Sequence, residues 1–388
     1  MAQAGTIAIS RRFPWLKAAV VAIAVTLLLA LVSARTPIFD SFEYWTSDWR
    51  TAFLAERPQE QHPGIAVVVL DEDAIAGLPY RSPIDRGLMA RLVQAIDGAG
   101  PRVIALDFIF DQETEPQKDA ALLEALKATN ARLVVGTVDE RTGIDDARRA
   151  YIALFISDTR ARPGLLNMRV EFDGTVRSLP DPALDGTPVF AEAVAQAAGA
   201  VIKTEGSRRI AWLRDPTEAD AILRIPASQL LSDEANPVRA RLLRLLKDRV
   251  VLVGADLSDS PDKFLTPLSK FDNNPIPGVL VHAQATAQLL DGRAYIEFPR
   301  DLVLAMSALI AFAGFLLGWR YHASGILVGL PPLAVFLLLD IALFMAFRIV
   351  LPFGLPVAAW IAGVFLGRAA YWLAERQART RAGTGVKV

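Results

Sequence analysis

Four apolar stretches constrain this chain more than anything else in it, because a helix of about 17 to 25 apolar residues crosses a hydrocarbon layer of roughly 30 Å. The first runs from Ala18 to Ala34, uncharged between Lys17 and Arg35. Leu302–Trp319 lies between Asp301 and Arg320, Ala323–Phe347 is interrupted only by Asp340, and Ile349–Gly367 follows at once. Turns of a few residues separate the last three, so they form a tight antiparallel group with no room for a domain between them. Residues 36–300 are then the only segment able to build a water-exposed globule. The chain is 53% hydrophobic and only 21% charged, which argues against an ordinary soluble enzyme.

The net charge of −1 conceals a division. Residues 36–300 carry 30 Lys/Arg and 39 Asp/Glu, a net of −9, and everything else carries +8. Lys and Arg resist translocation, so the basic flanks mark the cytoplasmic side. Arg11, Arg12 and Lys17 precede the first span, while Arg368, Arg376, Arg379, Arg381 and Lys387 follow the fourth. Both ends are expected in the cytoplasm, with residues 1–17 as the inner N-terminus, 36–300 outside and 368–388 as a short basic tail. A second reading concerns the start. Ser10-Arg11-Arg12-Phe13 resembles a twin-arginine export signal, with Val32-Ser33-Ala34 as a cleavage site, although Pro14 departs from that pattern. Either way the large domain is outside.

Within the spans, Gly314-x-x-x-Gly318 and Gly363-x-x-x-Gly367 each place two small residues on one helix face, which allows close backbone approach. Asp340 lies about two turns inside the third span, where an ionised carboxylate costs several kcal/mol unless paired or protonated. It is either a signal-relaying position or a neutral acid hydrogen-bonded to a neighbouring helix. Pro331-Pro332 is expected to distort the same helix.

The outer segment alternates β-rich runs with amphipathic helices. Strands are predicted at Ile65–Leu70, Val103–Phe110, Leu133–Val138 and Val250–Gly254, and helices at Asp85–Asp97, about Gln117–Ala128, Pro188–Ala200, Pro237–Lys247 and Gly278–Leu290. That order predicts an α/β domain with a mainly parallel sheet and right-handed crossovers. Between them lies a β-rich insertion, with Leu165–Phe172 and Thr175–Leu179 flanking the hairpin signal Asp173-Gly174. Trp45, Trp49 and Phe53 mark a juxtamembrane helix within Thr36–Gly64.

An ordered set of segments carries a family resemblance. Val69-Leu70-Asp71-Glu72, Arg86 on its helix, Ala99-Gly100-Pro101-Arg102-Val103-Ile104-Ala105-Leu106-Asp107-Phe108, Val251-Leu252-Val253-Gly254-Ala255, Asp262-Lys263-Phe264-Leu265-Thr266-Pro267-Leu268 and Gly278-Val279-Leu280-Val281-His282-Ala283 resemble the CHASE2 family of extracytoplasmic sensor domains. The likeness covers about residues 40–295 and extends to one N-terminal anchor followed by three clustered spans. It implies sensing, with the signal passed inward to a kinase or cyclase. Here 21 residues follow the fourth span, too few for such an output domain, so the expectation is a sensor read by a separate signalling protein.

Candidate ligand-binding residues follow from where acids meet strand ends: Asp71 and Glu72 (with Asp73), Asp107 (with Asp111), Asp256 and Asp259, then Asp262 and His282. Open parallel sheets bind ligands at the carboxyl edge, and hard cations favour carboxylate oxygens. The same acids also cap helices and satisfy backbone groups. No cysteine is present, which removes disulfides, thiolate metal sites and cysteine nucleophiles, and no phosphate-loop, H-E-x-x-H or G-x-S-x-G motif occurs. No cofactor, no catalytic residue and no nucleic-acid binding are expected. Membrane lipids contact the basic tail, and a homodimer is one assembly open to such a sensor. The rival readings are an extracytoplasmic metal-dependent hydrolase and an envelope scaffold, all set in a bacterial-type plasma membrane.

Overall fold

The structure, a computed structural model, describes residues 15–33, 35–36, 38–202, 206–322 and 325–384. It divides into two units, Thr51–Tyr295 and a second made of residues up to Arg50 with Ile296 onward. The twin-arginine segment lies outside the described residues.

The Thr51–Tyr295 unit is built on six parallel strands: β1 (Ile65–Leu70), β2 (Val103–Leu106), β3 (Arg132–Thr137), β4 (Arg162–Leu165), β5 (Leu223–Pro226) and β6 (Val250–Ala255), in the order β4-β3-β2-β6-β1-β5. Helices cover both faces, which is why the central strands read as unbroken Val/Ile/Leu runs. Alternation still sorts the side chains. Ala66, Val68 and Leu70 enter one core with Leu88, Leu92 and Leu122, while Ile65, Val67 and Val69 enter the other with Phe190, Val194 and Val279. The helix Arg86–Asp97 starts where Asp85 accepts from Leu88 N at 2.8 Å, an N-cap that satisfies one orphan amide. Helix Gly278–Asp291 lies so close to β6 that a Cβ on Gly254 would come within 2.4 Å of Val279 Cβ.

Two local expectations are altered. The strand predicted to reach Phe110 stops at Leu106, because the chain leaves the sheet at Asp107. Leu165 ends β4, so the hairpin at Asp173-Gly174 is only a short antiparallel ribbon of Arg169–Val170 with Val176–Ser178, turned by Gly174 at φ +77°. Both outer strands, β4 and β5, carry proline, which edge positions tolerate because one side of the ladder is unpaired.

In the other unit, Arg300–Arg320, Leu327–Phe347 and Gly354–Thr380 are helical stretches long and apolar enough to cross a membrane, and Ala19–Val32 is a shorter apolar one. A Cβ on Gly318 would sit 2.1 Å from Val364 O, one on Gly363 2.3 Å from Ala311 O and one on Gly367 2.0 Å from Phe315 O; one on Gly314 would lie 2.8 Å from Trp360 O. The helices beginning at Arg300 and Gly354 therefore meet backbone to backbone. Ala22 of the N-terminal helix Trp15–Ser33 packs with Ala311 and Ala359. Trp360 Nε1 donates to Gly329 O at 3.0 Å, in the turn before Pro331 and Pro332. The last helix begins at Gly354, not at Ile349 as expected, because Ile349–Val350 pair in parallel with Ile296–Glu297 and Pro352 precedes the helix.

Candidate functional site

All six strands point the same way, so their carboxyl ends share one edge. Strand β6 separates β1 from β2, and the chain runs outward from β2 to β4 before crossing to β5. A reversal of strand order of this kind leaves a crevice where the flanking loops diverge. There a cleft of about 1040 Å³ opens, walled by the segments that follow β2, β3, β4 and β6.

Its floor is polar, buried and largely uncharged. The Asp107 side chain is 5% exposed and its Oδ2 has no hydrogen-bond partner. Burial, reinforced by the negative charge of Asp262, pushes the Asp107 carboxyl well above the usual carboxylate range. Burial also raises Asp262, whose carboxyl rests on Gly278, where a Cβ would lie 2.5 Å away. His282 Nε2 is 3.9 Å from Asp107 Oδ1, and burial lowers its pKa to about 3, so the ring is neutral.

Above the floor stands a buried arginine. Arg86 is 2% exposed, stacks over Phe110 at 4.3 Å from the ring centre and donates from Nη2 to Gln112 O at 3.2 Å. Its Nε is 3.6 Å from Asp119, its Nη1 has no partner, and burial draws its pKa down. Asn167 Oδ1, in the same cleft, is also without a partner. Three further arginines line the mouth. Arg81 binds Glu72 and Asp259, each at 2.8 Å; Arg148 binds Asp111, and Arg141 binds Asp139 at 2.5 Å.

Of the acids singled out from sequence, Asp107, Asp262 and His282 thus converge, while Asp71 and Glu72 sit apart from the cleft lining. Asp71 accepts from Ser228 N at 3.0 Å and Ser228 Oγ at 2.5 Å, joining the end of β1 to the turn after β5. Glu72 is held at a pKa of about 2 by Arg81, with Ser258 adding two hydrogen bonds. Asp256 lies between Arg224 and Lys263. Among the described residues no three His, Asp or Glu side chains converge in a way that could hold a metal ion. Sequence reasoning passed over the arginines as ligand-binding residues. Each sits in a loop or at a helix start near a strand end, and that position was the available signal.

In the membrane-helix unit Asp340 is 1% exposed and meets Arg50, 2% exposed, whose Nη1 donates to its Oδ1 at 2.5 Å. Arg50 also donates to Leu351 O at 3.2 Å and lies 3.7 Å from Glu43. Glu43 in turn accepts from Phe353 N and Gly354 N at 2.7 and 3.0 Å, at the start of the last helix.

Comparison with known proteins gives one family match, the CHASE2 domain, over residues 20–319. No curated protein and no solved structure matches the chain. The match spans well over half the sequence and takes in the parallel sheet, its cleft and the first of the clustered apolar helices, so this membrane protein belongs to the CHASE2 family of sensory extracytoplasmic domains.

Proposed function

We propose that the protein is a multi-pass sensor of a bacterial-type inner membrane that binds a small molecule in the cleft at the carboxyl edge of its sheet and relays occupancy through its membrane helices to a separate signalling protein. The observation that carries this reading is the concentration of buried polar atoms without partners, Asp107 Oδ2, Arg86 Nη1 and Asn167 Oδ1, in one cleft of the sensory domain. Such atoms are few in a folded protein and costly to leave unmet, so a cleft that gathers three of them is suited to a ligand that meets them.

The relay begins at Arg50, the residue that precedes the outer unit in the chain. Its buried pairing with Asp340 gives the third span a charge-coupled tie to the helix Ile38–Leu54, and breaking or keeping that tie is a two-state event that a ligand can bias if it binds the two states unequally. Asp340 is the intramembrane relay position in this scheme and Arg50 its partner. With both ends in the cytoplasm, the last helix delivers the change to the inner face.

Hydrogen-exchange mass spectrometry on the full chain in nanodiscs, with and without a small-molecule extract of the growth medium, tests both halves. Protection is expected in peptides covering 107–112 and 255–264, together with altered exchange in 38–54. An extract that changes neither region would sink the sensor reading.

A further inference from the structure

The chemical class of the ligand follows from what lines the cleft. Four of its charged residues are arginines, Arg81, Arg86, Arg141 and Arg148, and none is lysine. Arginine differs from lysine in presenting a planar fork of N–H donors that matches a carboxylate edge to edge, and each guanidinium keeps donors to spare after one ion pair. The lining acids are Asp107, Asp111, Asp259 and Asp262. Asp111 and Asp259 are tied to Arg148 and Arg81. Asp107 and Asp262 lie on the buried floor, where burial raises both carboxyls and so favours the protonated form, which can act as a donor.

Arg86 decides the sign. Its ion-pair partner, Asp119, approaches Nε only to 3.6 Å and is itself occupied by Thr114, accepting from its N at 2.8 Å and its Oγ1 at 2.6 Å, while Asp111, which adds a weaker attraction, is tied to Arg148. A buried guanidinium with a distant counter-ion and an unmet Nη1 is incompletely neutralised, and burial makes that expensive. An added anion lowers the cost, whereas a cation raises it. Most of the remaining lining is apolar, with Phe108, Leu166, Met168 and Phe264 among it. A cleft of about 1040 Å³ is ample for a compact organic molecule, since such sites commonly measure about 300 to 1,000 Å³.

We infer that the cleft takes a small organic carboxylate, its anionic group held between Arg86 and the arginines of the mouth and its apolar body lying on Phe108, Leu166, Met168 and Phe264. This rests on the sensor reading above and specifies its ligand. The buried Asp107, whose Oδ2 has no partner, donates from its protonated form to the carboxylate or to a polar group beside it, so the floor adds specificity.

The test uses the full-length protein in detergent and three aromatic probes of similar size and different charge, benzoate, benzamide and benzylammonium, followed by saturation-transfer NMR and calorimetry. Benzoate is expected to bind at least about tenfold more tightly than benzamide, a difference near 1.4 kcal/mol, and benzylammonium not at all. Arg86→Gln should weaken benzoate about tenfold or more. Because Arg86 also packs on Phe110, Arg148→Gln at the half-exposed mouth serves as a second variant, expected to weaken benzoate severalfold with an unchanged melting temperature. Benzamide binding as well as benzoate, benzoate binding indifferent to both variants, or no saturable benzoate binding would each overturn the carboxylate assignment. Benzamide or benzylammonium bound in competition with the growth-medium extract would overturn it while leaving the sensor cleft standing.

Discussion

Arg50 and Asp340 stand 290 positions apart in sequence, yet they form a 2.5 Å ion pair from which water is almost wholly excluded. Asp340 is an acid within an apolar helix, and Arg50 is the cation that makes its position affordable. The pair is tied further by Leu351 O and Glu43, so charge compensation and the docking of three chain segments are one arrangement.

Removing one partner is therefore expected to cost more than removing both. Arg50→Met or Asp340→Leu alone leaves a buried charge unmatched and should destabilise by about 3 to 5 kcal/mol, while the double variant recovers most of the loss. Thermal unfolding in detergent, followed by tryptophan fluorescence, reads this directly. Single variants as stable as the parent would show that the pair is solvated.

The glycine contacts predict a sharp contrast between neighbours. Gly318→Ala puts a methyl 2.1 Å from Val364 O and should force the helices apart, with a loss of about 2 kcal/mol, the range of overpacking costs. Gly329→Ala meets nothing nearer than 3.7 Å and should be neutral or stabilising by up to about 1 kcal/mol through helix propensity. Melting temperatures of the two variants, compared in one detergent, decide the matter.

The orientation is open to a chemical test because the parent chain has no cysteine. Glu234→Cys, on an exposed side chain of the outer unit, should react with an impermeant maleimide on intact spheroplasts. Gln377→Cys in the last helix should react only after the membrane is permeabilised. Equal labelling of the two before permeabilisation would reverse the assignment of the C-terminus.

Asp107 of the cleft floor and His282 behind it predict opposite pH effects. An unfolded chain protonates His282 near pH 6.5, whereas the folded one resists until about 3, so the unfolded state binds more protons between these values and stability falls as pH drops through that window. His282→Gln should flatten this limb. Asp107 is the reverse, because the folded state keeps a proton that the unfolded chain has lost above the usual carboxylate range. Asp107→Asn should then stabilise the fold at neutral pH and change little near pH 3. Urea unfolding across this range measures both, and parallel curves for variant and parent would refute the assignment.

The centre of the sheet was readable from sequence because β1 and β6 are continuous apolar runs dominated by Val, Ile and Leu, a composition that buried parallel strands impose. The edges were not. Arg162-Pro163-Gly164-Leu165 has neither alternation nor apolar continuity, and in Leu223-Arg224-Ile225-Pro226 the alternation lasts only three residues before a proline, so tertiary pairing is what makes them strands. At the cleft, each acid drew notice by its place after a strand, but the grouping of Asp107, Asp262 and His282 depends on three distant segments meeting. Arg81, Arg141 and Arg148 escaped notice because a part-exposed arginine in a loop or at a helix start carries no pattern of its own, and Arg86 was noted for the family resemblance alone. Arg86 acquires meaning only through its burial over Phe110 and its unmet Nη1.

The strand order has a consequence for how the domain is made. Strand β6 fills the gap between β1 and β2, yet it is the last of the six to be synthesised. A chain emerging from its N-terminus holds two finished hydrophobic strands with the slot between them empty until residue 255 arrives, and the next helix of membrane-spanning length begins only at Arg300. The sheet must therefore close late and at once, through contacts of long sequence separation, which makes for slow folding and leaves early fragments exposed to aggregation. Truncation anywhere before β6 should give no smaller folded domain, because the missing piece is the keel of the sheet and not its rim.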